Sequence, residues 1–181
     1  MKNCINLLGM LLLASFFYSC SGTSGKQNTI EKDSIEVKEK NNWAYSEDVD
    51  EMTDKKMYFA NCTSTNEVEF EFPYNGGSIL ELLVRNMNGK NEVVLHISKG
   101  IINMSVGSMG NIRMRFDDKE AVSYSYNSSD NGSLEYAFLD HSKEIINKLK
   151  QSKTVKIEVP VFNDNRTVFN FDVSGLNWEH K

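Results

Sequence analysis

The chain has no apolar run long enough to cross a membrane as a helix. Its one oily stretch, Ile5 to Phe17, is interrupted by Asn6, Gly9 and Ser15, whereas a spanning helix needs roughly 20 apolar residues. Cysteine is nearly absent. Cys4, Cys20 and Cys62 are the only three, too few for the disulfide framework that staples small exported domains. His96, His141 and His180 are scattered, with none of the spacing that zinc requires. Positive charge is in deficit: 20 Lys and Arg against 25 Asp and Glu leave −5. That balance argues against a nucleic-acid partner, which calls for a basic face, and against polybasic contact with anionic lipid. No nucleophile elbow is present, because in Val106 to Gly110 the glycine directly precedes Ser108. The sequence therefore assigns no catalytic residue, no cofactor and no metal.

What is present begins at the N-terminus. Lys2, a short apolar middle and a small residue before a break describe a secretory signal. Phe17-Tyr18-Ser19-Cys20 resembles the lipobox of bacterial lipoproteins, whose cysteine is acylated and becomes the mature N-terminus. The resemblance implies a signal peptide over 1–19 and lipid, palmitate included, on Cys20. It also implies a place in the cell envelope, on the outer membrane. No acidic export run follows Cys20, which points to the periplasmic side. The mature chain would then hold 181 − 19 = 162 residues, enough for one domain and a tail. Cys4 would leave with the signal and Cys20 would carry lipid. Cys62, in the apolar run "MYFANCTS", is then expected to be buried, unpaired and inert.

Residues 20–42 read as the acylated cysteine and a flexible tether. From 21 to 42 the only apolar residues are Ile30, Ile35 and Val37, too few to offset the entropy of ordering. A chain of this length spans about 25 Å as a flexible coil. Asp33-Ser34-Ile35 resembles a bacterial O-glycosylation sequon, which would place a glycan on Ser34.

From Trp43 the pattern changes to period two, and residues 43–181 read as one domain. Val68, Phe70 and Phe72 alternate with Glu67, Glu69 and Glu71. Ile112, Met114 and Phe116 alternate with Arg113 and Arg115. Val122, Tyr124 and Tyr126 share a face, as do Leu134, Tyr136 and Phe138. So do Val155, Ile157, Val159 and Val161, and finally Phe169, Phe171 and Val173. Alternation of this kind marks strands with one buried face. "ILELLV" and "NEVVLHIS" are apolar on both parities and suit central strands. Asn88-Gly89, Asn131-Gly132 and Pro73 to Gly77 are turn chemistry. One helix is expected around 140–150, with Asp140 as N-cap and Ile145, Ile146 and Leu149 on one stripe. Pro160 is expected on an edge strand or bulge. The whole predicts a mostly β protein: an antiparallel β-sandwich of about eight to ten strands with one helix.

Candidate sites are sparse. Asp117 and Asp118 follow a strand, but two carboxylates are a poor start for Ca²⁺, and the pair reads as a turn. Asp50, Thr53 and Asp54 belong to the acidic segment 48–56, a candidate interaction loop or a solvated turn. The row Glu67, Glu69 and Glu71 could pair with Arg113 and Arg115, or simply be solvated. A further pattern runs through Trp43, Asp50 to Asp54, Pro73-Tyr74, Arg113 to Asp117, Phe138, Phe169-Asn170-Phe171 and Gly175-Leu176. It resembles exported β-sandwich proteins related to the type VI secretion-associated VasI-like family. That resemblance implies the sandwich and an exported location, and names no catalytic residue. The expected role is a monomeric, non-enzymatic binding or accessory module, held to the membrane through Cys20 and facing an envelope protein partner. The alternatives are a periplasmic inhibitor or immunity protein, and a hydrolase whose carboxylates (Asp117, Asp118, Glu120, Asp140) meet only in the fold.

Overall fold

The computed structural model describes residues 41–102, 110–161 and 166–180. Cys20, Ser34 and the Val106–Met109 loop lie outside them. Eleven strands are present among the described residues: β1 (Ala44–Asp50), β2 (Lys55–Thr63), β3 (Val68–Phe70), β4 (Gly76–Ser78), β5 (Leu80–Met87), β6 (Lys90–Ile97), β7 (Gly110–Phe116), β8 (Val122–Asn127), β9 (Tyr136–Leu139), β10 (Thr154–Val159) and β11 (Thr167–Asp172). One helix, α1 (Ser142–Lys150), separates β9 from β10. Nine strands form an antiparallel sheet in the order β1-β2-β5-β6-β9-β8-β7-β10-β11, and β3-β4 is a separate hairpin. The count exceeds eight to ten because a three-residue strand such as β4, Gly-Gly-Ser, carries no readable period.

The large sheet folds over on itself. Its narrowest seam is β8–β9, paired only through Tyr126↔Leu139 and Asn127↔Phe138. On either side, Leu82 and Leu95 meet Ile112, Met114, Ile157 and Phe169 in one core. Strand β11 returns to the end of β2. The Thr65 N–H donates to the Asn170 carbonyl at 2.7 Å, and the Asn170 N–H donates to Asn66 Oδ1 at 2.6 Å. These bonds close the two layers into a β-sandwich. The period-two sets of β7, β8, β10 and β11 point inward as the sequence predicts, and β5 is an internal strand. Strand β6 buries Val93, Val94 and Leu95 together, as a strand covered on both faces should. Helix α1 adds Ile145, Ile146 and Leu149 to the same core.

Several expectations are corrected. The alternating run at 67–72 pairs only over β3, and Phe72 is 81% exposed. In β9 the face is inverted: Ala137 and Leu139 are buried, while Tyr136 and Phe138 point outward and Leu134 precedes the strand, exposed. Tyr136 stacks on His96 at 4.4 Å, and Arg85 sits 5.1 Å above the Phe138 ring. Pro160 lies just past β10, an internal strand, and ends its ladder. The N-cap of α1 is His141, in the left-handed region at φ 60°. Asp140 instead accepts from Ser125 Oγ at 2.7 Å and Asn127 Nδ2 at 3.3 Å. Arg113 pairs with Glu158 at 3.4 Å, away from the glutamate row.

Burial sets the expected costs of truncation. Phe116 is 2% exposed, so Phe116→Ala should cost about 3–5 kcal/mol. Phe70 is only half-buried against the core, and Phe70→Ala should cost clearly less. Glu69→Ala, on the solvent side, should stay within about 0.5 kcal/mol. Urea denaturation of the three variants checks the order.

Cys62 is free and buried, and its thiol donates to the Asp172 carbonyl at 3.4 Å. Burial, followed by the charge of Asp172, pushes this thiol up to about 12. Burial also pushes the Tyr126 phenol up to about 12, against a small opposing pull from Arg166. In the unfolded chain these groups ionise near 8.5 and 10. Both are neutral in either state below about pH 8, so their contribution is then complete. As pH rises toward 12 only the unfolded state loses protons, and stability falls. The urea midpoint should therefore drop between pH 8 and 10.5, and less steeply in Cys62→Ala. At neutral pH the melting temperature should be the same with and without reductant.

Candidate functional site

The concave site is made by the chain end. After β11, Val173, Leu176 and Trp178 are buried apolar residues at intervals in a polar stretch. Each anchors the segment to the sandwich. Trp43 Nε1–H donates to the Val173 carbonyl at 3.0 Å. The Asn177 N–H donates to the Tyr45 hydroxyl at 2.9 Å. Asn91 then grips the segment with both ends of its amide. Its Nδ2 donates to the His180 carbonyl at 2.9 Å, and its Oδ1 accepts from Trp178 Nε1 at 3.2 Å. The same Oδ1 accepts from Asn86 Nδ2 at 2.9 Å. The His180 ring stacks on Tyr58 at 3.8 Å and meets the Trp178 edge at 4.8 Å.

A cleft of about 800 Å³ opens between this segment, α1 and the β5–β6 turn. Asn88 and Gly89 form that turn with φ of 53° and 77°, the two left-handed positions of a tight hairpin. The turn puts Lys90 on the rim. Helix α1 contributes Lys143, Ile146, Asn147 and Lys150, spaced i, i+3, i+4 and i+7 and so on one face. Trp178 and Ile146 supply the apolar floor. A smaller hollow of about 350 Å³ lies beside the cleft and shares Trp178 and His180, with Tyr45, Glu47 and Tyr58 on its other wall.

The rim is positive although the chain is acidic. Lys90 Nζ lies 2.9 Å from Glu92, but Arg85 also holds Glu92 at 2.6 Å, so two cations share one anion. Partial burial pulls the Glu92 carboxyl up, and the hydrogen bonds and charges of Lys90 and Arg85 outweigh it, holding the carboxyl below its ordinary value. Lys150 Nζ donates to the Trp178 carbonyl at 2.7 Å, a neutral acceptor that leaves its charge uncompensated. Lys143 has no ion-pair partner among the described residues. Three lysines against Glu179 give the lining 3 − 1 = +2.

None of the candidate site residues read from the sequence lines this cleft, and His180, weighed there only as a zinc ligand, does. Asp50 Oδ1 accepts the N–H groups of Met52 and Thr53 at 2.9 and 3.1 Å, and Asp54 takes φ 55° in the same turn. Asp50, Thr53 and Asp54 therefore build the β1–β2 turn, with Met52 exposed at its tip. Asp117 Oδ1 accepts the N–H groups of Lys153 and Thr154, both at 2.9 Å. The bond from Thr154 is the largest influence holding its carboxyl below the ordinary value. Asp117 thus ties β7 to β10, and Asp118 is left exposed. Among the described residues no three His, Cys, Asp or Glu side chains gather as metal ligands would, and no helix is long and apolar enough to cross a membrane. Sequence reasoning missed Lys90, Lys143, Asn147, Lys150 and Trp178. The available signals were a lone tryptophan in a polar end segment and lysines repeating along the outer face of one helix.

No family model matches the chain, the VasI-like family included, and no curated protein matches it significantly. Among solved structures, the crystal structure of invasion associated protein B from Bartonella henselae is similar, with a TM-score of 0.47 and 15% identity over 75% of this chain and 85% of that one. A likeness this distant assigns no role to any residue.

Proposed function

We propose that the protein is a membrane-tethered lipoprotein of the bacterial envelope, held to the outer membrane through Cys20 and facing the periplasm. In this reading the sandwich is a non-enzymatic binding module whose protein partner docks in the lysine-rimmed cleft. The observation that carries it is the cleft itself. Its walls are preformed, an Asn91 fork and a Lys150 bond hold its chain-end side in place, and it combines an apolar floor with polar groups, as binding sites do. A hydrolase has weaker support, because Asp117 and Asp140 are occupied in turn and strand contacts and neither lines the cleft.

The test is position-specific photo-cross-linking in cells. A photoreactive residue at Asn147, exposed on the cleft rim, should give a discrete adduct in the membrane fraction. The same group at Glu69, on the solvent side of β3, should give none. No adduct at Asn147, or equal adducts at both positions, would remove the cleft from the proposal.

A further inference from the structure

Resting on that reading, we propose that the cleft takes an acidic peptide segment carrying an apolar anchor side chain. The lining charge is opposite in sign to the whole chain, −5 overall against +2 in the cleft. Such a reversal attracts carboxylates into this one concavity. The three amines are placed differently but all remain available to an anion. Among the described residues Lys143 has no ion-pair partner, Lys150 rests on a neutral carbonyl, and Lys90 shares Glu92 with Arg85. Between them lie Ile146 and Trp178, 5% and 3% exposed. Two nearly buried side chains offer a small apolar contact, matched to one side chain rather than to the length of an acyl chain. Asn147 stands beside it as a donor and acceptor for a peptide backbone. These features together favour a peptide over a lipid.

Poly-L-glutamate is the probe, titrated into the chain from residue 20 onward with Cys20→Ala to keep it in solution. Binding should be measurable at low ionic strength, and the amide signals that shift should be those of Gly89, Asn147 and Glu179. It should weaken at least tenfold in Lys90→Gln/Lys143→Glu. Lys119→Gln/Lys156→Glu changes the total charge identically away from the cleft, and should weaken it less than threefold. Amide spectra of both variants confirm that they remain folded. Equal loss in both variants, shifts that map elsewhere, or no binding by the native chain would overturn the proposal. So would binding of a short-chain phosphatidylglycerol below its micelle concentration in place of poly-glutamate, which would make the occupant a lipid. If Asn147 still cross-links to an envelope protein while poly-glutamate fails to bind, the ligand class is wrong and the binding-module reading stands.

Discussion

Trp178→Ala should lower stability by about 3–5 kcal/mol, the range for truncating a buried aromatic. For a domain of this size that corresponds to a fall in melting temperature on the order of 10 °C. Trp178 is 3% exposed and belongs to the main core, yet it lies three residues from the end of the chain. Its loss removes the floor of the cleft, takes one of two donors from Asn91 Oδ1, and frees the His180 ring from one of its two aromatic neighbours. Asn91→Ala should cost less, about 1–3 kcal/mol, because it leaves partly buried partners unsatisfied without opening a cavity. Thermal unfolding of both variants checks the order. A Trp178→Ala protein that melts within a degree or two of the native chain would mean that the end segment does not hold the domain together, and the cleft would lose its wall.

Cys20→Ala should either release the protein from the membrane fraction or leave it as uncut precursor. The substitution removes the thiol that would receive lipid, at a position outside the described residues. Each buried CH₂ contributes about 0.8 kcal/mol, and stable anchoring needs more than one chain. Losing the attachment point is therefore read by fractionation, by whether the signal is cut, and by labelled fatty-acid incorporation. Confinement near a membrane-borne partner can raise apparent affinity 10²–10⁴-fold. Cellular function should thus fall while the cleft still binds in solution. Normal function in a strain with confirmed periplasmic delivery of Cys20→Ala would count against a tethered module. Unchanged membrane retention of a cut chain would remove the lipid from Cys20.

The period-two runs by themselves determined the strands of the core and which side of most of them is dry. Ile112, Met114 and Phe116 in β7, or Val155, Ile157 and Val159 in β10, are apolar on one parity only, so no other face could be buried. The Asn-Gly turn and the helix stripe were legible for the same reason: the physics that places them is local. Strand β9 shows where that stops. Its sequence "LEYAFLD" is apolar on both parities, and the period cannot choose between them. Tertiary structure chose Ala137 and Leu139, and gave Tyr136 and Phe138 covering partners on the outer face in His96 and Arg85. The anchoring of Asp117 on β10 is likewise a contact between segments distant in sequence. The cleft belongs wholly to this second class. Lys90, Lys143, Lys150 and Trp178 come from a turn, a helix and the chain end, and no window of sequence contains them together. A rim of lysines in an acidic chain looks like solvated surface until the folding-over of the sheet brings α1 and the end segment beside β6, and only then do separate charges become one site.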